Sequence, residues 1–94
     1  MLKELETLSN DVIGCFENSI SALVNKDHIL AEKVASNIAK VIEDEKELMY
    51  GMRESKNSTA IKFILEDIRR TAEYSSDIIE VVINETIQNI ITEK

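Results

Sequence analysis

The chain of 94 residues contains no proline, and its only glycines are Gly14 and Gly51. Sharp chain reversals draw on those two residue types, so a sandwich, a barrel or any fold with many tight turns is disfavoured. Long helices with few connections remain. Glu, Lys and Ala favour helix, whereas the fourteen isoleucines do so only weakly, because a β-branched side chain loses rotamer freedom against the preceding turn. Burial of an apolar face must therefore supply most of the stability. Apolar residues make up 44% of the chain, enough for one packed core and too many for a disordered tail.

Apolar spacing divides the chain into three helical segments. The first covers roughly 2–25, with Leu5, Leu8, Val12, Phe16, Ile20 and Leu23 in one stripe and Ile13 and Val24 beside it. Asn25-Lys26-Asp27 interrupts the pattern. Asn25 suits a left-handed helix end, and Asp27 suits the cap of the next helix. The second segment covers roughly 28–53, with Leu30, Val34, Ile38, Val41, Leu48 and Met52 in line and Glu45 on the same line. Gly51 and Glu54-Ser55-Lys56-Asn57 mark the second break, after which Asn57 or Ser58 caps the third helix. That helix covers roughly 59–92, with Ile61, Ile64, Leu65, Ile68, Ala72, Ile79 and Val82 as its stripe. It spans about 50 Å, against about 37 Å for each of the others.

Short connections make successive helices antiparallel neighbours, so the expected fold is all-α, an up-down-up three-helix bundle with a long third helix. Beyond residue 77 that helix is apolar around most of its circumference, and two companion helices cannot cover it. The expectation is a homodimer of six helices whose interface uses Ile79, Val82, Ile83, Ile87 and Ile90.

The net charge of −7 disfavours nucleic acid and anionic lipid as partners. No stretch has the length and apolarity of a membrane span, which predicts no membrane insertion. The opening residues carry no signal-peptide pattern, and one thiol, Cys15, cannot form an intramolecular disulfide; both suit a reducing cytoplasm. Cys15 has no basic neighbour and reads as a core residue. His28 reads as a surface imidazole at a helix start.

Acidic residues are the remaining candidates for chemistry. Glu66, Arg69, Arg70, Glu73, Asp77, Glu80 and Asn84 share one face of the third helix. Glu73 and Asp77 stand one turn apart and could reach one hard cation such as iron, zinc or another divalent metal. The same face is equally a solvated one laced with ion pairs, such as Arg69 or Arg70 with Glu73. On the second helix Glu43, Glu45 and Glu47 are weaker candidates, as is Glu80 on the third. Glu45 in an apolar stripe is either a buried ligand or base, or a rim residue where the stripe drifts; the rim is preferred.

The run Ile68-Arg69-Arg70-Thr71-Ala72-Glu73-Tyr74-Ser75-Ser76-Asp77-Ile78-Ile79-Glu80 closely resembles the last helix of PhoU-family domains, archaeal members in particular. The family's acidic E(D)xxxD motif maps onto Glu73 and Asp77. Ala22-Leu23-Val24-Asn25-Lys26-Asp27, followed by Ala31 and Val34, resembles the family's turn between its first two helices. Two departures stand out. The family generally has two such bundles in tandem, so this chain is expected either to pair with itself or to be part of a longer protein. The acidic motif of the family's second helix falls on Ile38, Ala39 and Ile42 in the ungapped register, and only a shift of two turns brings Glu43, Glu45 and Glu47 to it.

The resemblance implies a non-enzymatic cytoplasmic regulator of phosphate uptake that acts on a phosphate transporter or sensor protein; some members of the family bind iron or zinc through the acidic motif. Two other classes fit a small acidic bundle. One is a dimerisation module of a larger regulator. The other is an all-helical metal-dependent nucleotide pyrophosphatase, with Glu43 and Glu47 facing Glu73 and Asp77. A helical chorismate mutase would need more converging bases than Arg53, Arg69 and Arg70 supply.

Overall fold

The computed structural model describes residues 2–51 and 58–92, with side chains over 2–51 and 59–85. Three helices pack against one another, α1 (Leu2–Asn25), α2 (His28–Gly51) and α3 (Ser58–Thr92). They form the expected all-α bundle, an elongated body of 59 × 17 × 16 Å.

The reversal between α1 and α2 is compact because one residue serves both helices. Lys26 takes the left-handed conformation (φ 53°), one position later than the expected Asn25. The Asp27 N–H then donates to the Ala22 carbonyl (2.9 Å), and the Lys26 N–H donates to that of Leu23 (3.4 Å). These two bonds close α1 as a Schellman motif. The Asp27 carboxylate in turn accepts from the Leu30 N–H (3.0 Å), capping the first turn of α2 as expected.

Each helix contributes a seam whose steps alternate between three and four residues. In α1 it is Leu5, Leu8, Val12, Cys15, Ser19 and Ala22; in α2, Ala31, Val34, Ile38, Val41 and Glu45; in α3, Leu65, Ile68, Ala72, Ser75, Ile79 and Val82. This corrects the expected stripe in the second half of α1. Phe16 and Leu23 are half-buried flanks, and Ile20 is 40% exposed. Successive steps of four, as in Val12–Phe16–Ile20, rotate a stripe around the helix, whereas alternating steps average 3.5 and stay on the partner. The same reasoning replaces Leu30 by Ala31 in α2. It leaves Ile64 of α3 43% exposed beside the seam.

Small residues on the seam let the helices approach closely. Ala22, Ala31, Ala72, Ser19 and Ser75 are fully buried. The two serines satisfy their hydroxyls within their own helices, donating to the carbonyls of Phe16 (2.7 Å) and Thr71 (2.8 Å). Among the described residues no buried side-chain nitrogen or oxygen lacks a partner. Such bonds avoid the cost of an unsatisfied polar group in the core.

With 35 residues against 24, α3 overruns α2. The pairing of Arg69 with Glu45 sets the level. From that point α3 runs on for 23 residues and antiparallel α2 for 17, an excess of about 9 Å at 1.5 Å per residue. The opposite ends differ by five residues (11 against 6), so the overhang is shared between both ends.

Candidate functional site

The face of α3 that carries the acidic motif is set by the seam on its other side. Because Ala72, Ser75 and Ile79 point into the core, Glu73, Asp77 and Glu80 are turned to solvent. Glu73 and Asp77 follow one another by one helical turn.

Arg69 organises this face. Its Nη1 donates to Glu45 Oε2 at 2.9 Å, across from α3 to α2. Its Nε lies 3.4 Å from Glu73 Oε1, one turn along the same helix. The guanidinium thus bridges a buried carboxylate (Glu45 side chain 5% exposed) and an exposed one (Glu73, 60%). The preferred expectation for Glu45, a rim position, is corrected. It occupies the α2 seam one step after Val41, and the 34% exposed Arg69 supplies the countercharge that burial demands. The Arg69–Glu73 pair is among those the sequence suggests. The pair across the helices was missed; an acid in an apolar register was its one visible signal.

This arrangement bears directly on metal binding. Among the described residues no three His, Cys, Asp or Glu side chains converge as a metal ion would require. Glu73 faces a cation already, and Glu45 is committed to the same one. Glu43 is exposed, while Glu47 borders a groove against α1. Of these α2 acids, Glu45 is the one brought to Glu73, and it comes there through Arg69. The described residues do not by themselves make a metal site.

The expected interface residues are also redistributed. Ile79 and Val82 are each 2% exposed and belong to the chain's own core, because the α3 seam continues to Val82 without changing register. Ile83 is partly buried against that core. The side chains of Ile87 and Ile90 lie outside the described residues. Large apolar side chains of α3 that do reach solvent are Phe63, Ile64, Tyr74 and Val81.

Cys15 is buried as expected, and burial, reinforced by the negative charge of Asp11, raises its pKa above the usual thiol value. A thiol held protonated in this way is a poor nucleophile. His28 is exposed at the first position of α2, again as expected. Among the described residues, grooves lie between α1 and α2. One, of about 630 Å³, runs between the start of α1 and the end of α2. Another, of about 240 Å³, is rimmed by Asn10, Asn18, Asn37 and Lys40 around Gly14.

No described helix is long and apolar enough to cross a membrane. No family model matches the chain, and no curated protein or solved structure matches it.

Proposed function

We propose that this chain is a regulator of phosphate uptake of the PhoU type, a non-enzymatic cytoplasmic bundle that docks on phosphate transport or signalling proteins. The observation that carries the reading is how the run 68–84 is divided by the fold. Its apolar members Ile68, Ala72, Ile79 and Val82 form the core, and its acids Glu73, Asp77 and Glu80 line an exposed face. The resemblance in this run therefore combines core residues with an accessible acidic surface. Docking requires an ordered, exposed face and neither a cleft nor an activated nucleophile. Metal at Glu73 and Asp77 would need ligands from a partner and release of Glu73 from Arg69.

The test is binding of the purified protein to the immobilised ATPase subunit of a phosphate transporter, with and without added zinc, manganese or iron. Wild-type protein is expected to be retained and the Glu73→Ala/Asp77→Ala variant to bind at least about fivefold more weakly, as for loss of one or two charge-assisted contacts. No retention, or equal retention of both proteins, rejects the acidic face as the docking surface.

A second reading, a homodimerisation module of a larger regulator, is favoured by the overrun of α3 and by exposed Tyr74 and Val81 on that helix. Sedimentation decides it, since a chain that remains monomeric at high concentration is no such module.

A further inference from the structure

We propose that the face shared by α1 and α3 is the contact through which two copies of this chain pair, antiparallel and about a two-fold axis. The inference rests on the second reading above, a dimerisation module, and gives it a surface; the phosphate reading does not depend on it.

The face begins with the stripe that α1 leaves out of its own core. Asn10, Asp11 and Asn18 border the grooves toward α2 and mark one flank of the α1 seam. At 3.6 residues per turn, Ile13, Phe16, Ile20 and Leu23 fall on the opposite flank, toward α3. On α3, Arg69 marks the flank toward α2, so Tyr74, Ile78 and Val81 fall on the side of α1. The levels match as well. Leu8 shares a groove with Leu48, one turn from Glu45, and Glu45 meets Arg69. The α3 seam repeats the α1 seam with 60 added to each number, from Leu5 and Leu65 to Ala22 and Val82. Residue n of α1 therefore lies beside residue n + 60 of α3, and the two stripes adjoin as one apolar face.

Its size is that of an interface. Ile13, Ile20, Val24, Tyr74 and Val81 are each 40–73% exposed. With their half-buried neighbours they leave on the order of 600 Å² of apolar surface in water, the upper end for a monomer. That is most of the ~800 Å² that each partner of a stable pair contributes. Its charge suits a second copy. Chains of net charge −7 repel one another over most of their surface. Among the described residues of this face, over 13–24 and 71–81, charge stands only at the rims, as Glu17 and Asp77.

The spacing selects a copy of the same chain. In a two-fold contact, if one residue meets a second, the second meets the first. Ile13, Phe16, Ile20 and Leu23 follow at steps of 3, 4 and 3, which read the same in both directions. An antiparallel copy thus sets its Leu23 against Ile13 and its Ile20 against Phe16. On α3 the same operation sets Val81 against Tyr74 and Ile78 against itself. The α1 set centres on position 18 and the α3 set on position 78, the same level, so one axis serves both helices. A foreign helix would require no such symmetry.

Sedimentation equilibrium of the whole chain, from micromolar to submillimolar concentration, tests the proposal. The wild type is expected to be a dimer that tightens as salt screens the like charges. Ile13→Glu should weaken it at least about tenfold, because the carboxylate is buried at two symmetric places. Ile29→Glu, the same change at an exposed position on α2, should alter it less than about twofold. Both positions face water in one chain, and thermal melts should show both variants folded. In a glutathione redox buffer, an equal mixture of Tyr74→Cys and Val81→Cys proteins should form the mixed disulfide in preference to either self-linked pair; the native thiol, Cys15, is buried. A monomeric wild type overturns both this proposal and the second reading, and leaves a foreign apolar helix as the occupant of the face. A dimer that Ile13→Glu leaves intact, that both variants weaken equally, or that loosens with salt overturns this proposal alone. Preference for either self-linked disulfide overturns the antiparallel pairing.

Discussion

The two ends of the α1–α2 pair are built on opposite principles. At the reversal, backbone hydrogen bonds and small side chains close the structure. Asp27 ends one helix and begins the next, and the small residues Ala22 and Ala31 are fully buried beside it. Toward the far end a groove of about 630 Å³ lies between the helices, and the α2 seam position after Val41 holds Glu45, countered by Arg69 from α3. The contrast teaches where specificity and surface reside in a small bundle. The reversal fixes the register through local bonds that depend on few residues. The far end relies on a charge pair that joins α3 to α2.

Removing the charge pair should expose the difference most strongly. Arg69→Ala leaves Glu45 buried without a countercharge, and a loss of about 3 kcal/mol is expected in denaturant unfolding. Partial exposure of Arg69 keeps the loss toward the lower end of the range for buried pairs. Replacing both partners, Glu45→Leu with Arg69→Met, should recover most of that stability, since apolar side chains of similar volume fill the same space without desolvated charge. If the double variant is no more stable than Arg69→Ala, the pair does more than neutralise charge.

A smaller effect is expected at the reversal. Asp27→Ala removes the cap of α2 and should cost about 1 kcal/mol, with amide exchange accelerating first at Leu30. Loss confined to that turn would confirm that the cap acts locally, whereas a cooperative loss across α1 and α2 would show that the reversal governs the whole pair.

The mildest change lies midway between the two ends. A methyl group added at Gly14 meets nothing within 4 Å, and its backbone is ordinary helix. Gly14→Ala should therefore stabilise the protein by about 0.5–1 kcal/mol through helix propensity alone. A destabilised Gly14→Ala protein would mean that α1 and α2 approach more closely at the Asn-lined groove.

Much of the fold could be read from local chemistry. Two breaks in a proline-free chain, at Asn25–Asp27 and after Gly51, imply three helices, and the Asp27 cap lies where residue type places it. The candidate site was only half legible. That Glu73 and Asp77 share an exposed face follows from helical spacing, which is a property of one helix. That Glu73 is already held by a guanidinium anchored on Glu45 is a property of two helices in one particular register.

The sequence by itself determined the number and type of elements, the Asp27 cap and the division of α3 into core and acidic faces, because these depend on residues within a turn or two of each other. Tertiary structure decided which of two adjacent stripes in α1 became the seam, choosing Cys15, Ser19 and Ala22 over the bulkier Phe16, Ile20 and Leu23. It also turned Ile79 and Val82 inward, away from the interface expected of them, and buried Glu45 opposite Arg69. Those choices depend on which helices meet and at what level. Only the packed bundle sets that level, because burial and charge pairing must be satisfied on all three helices together.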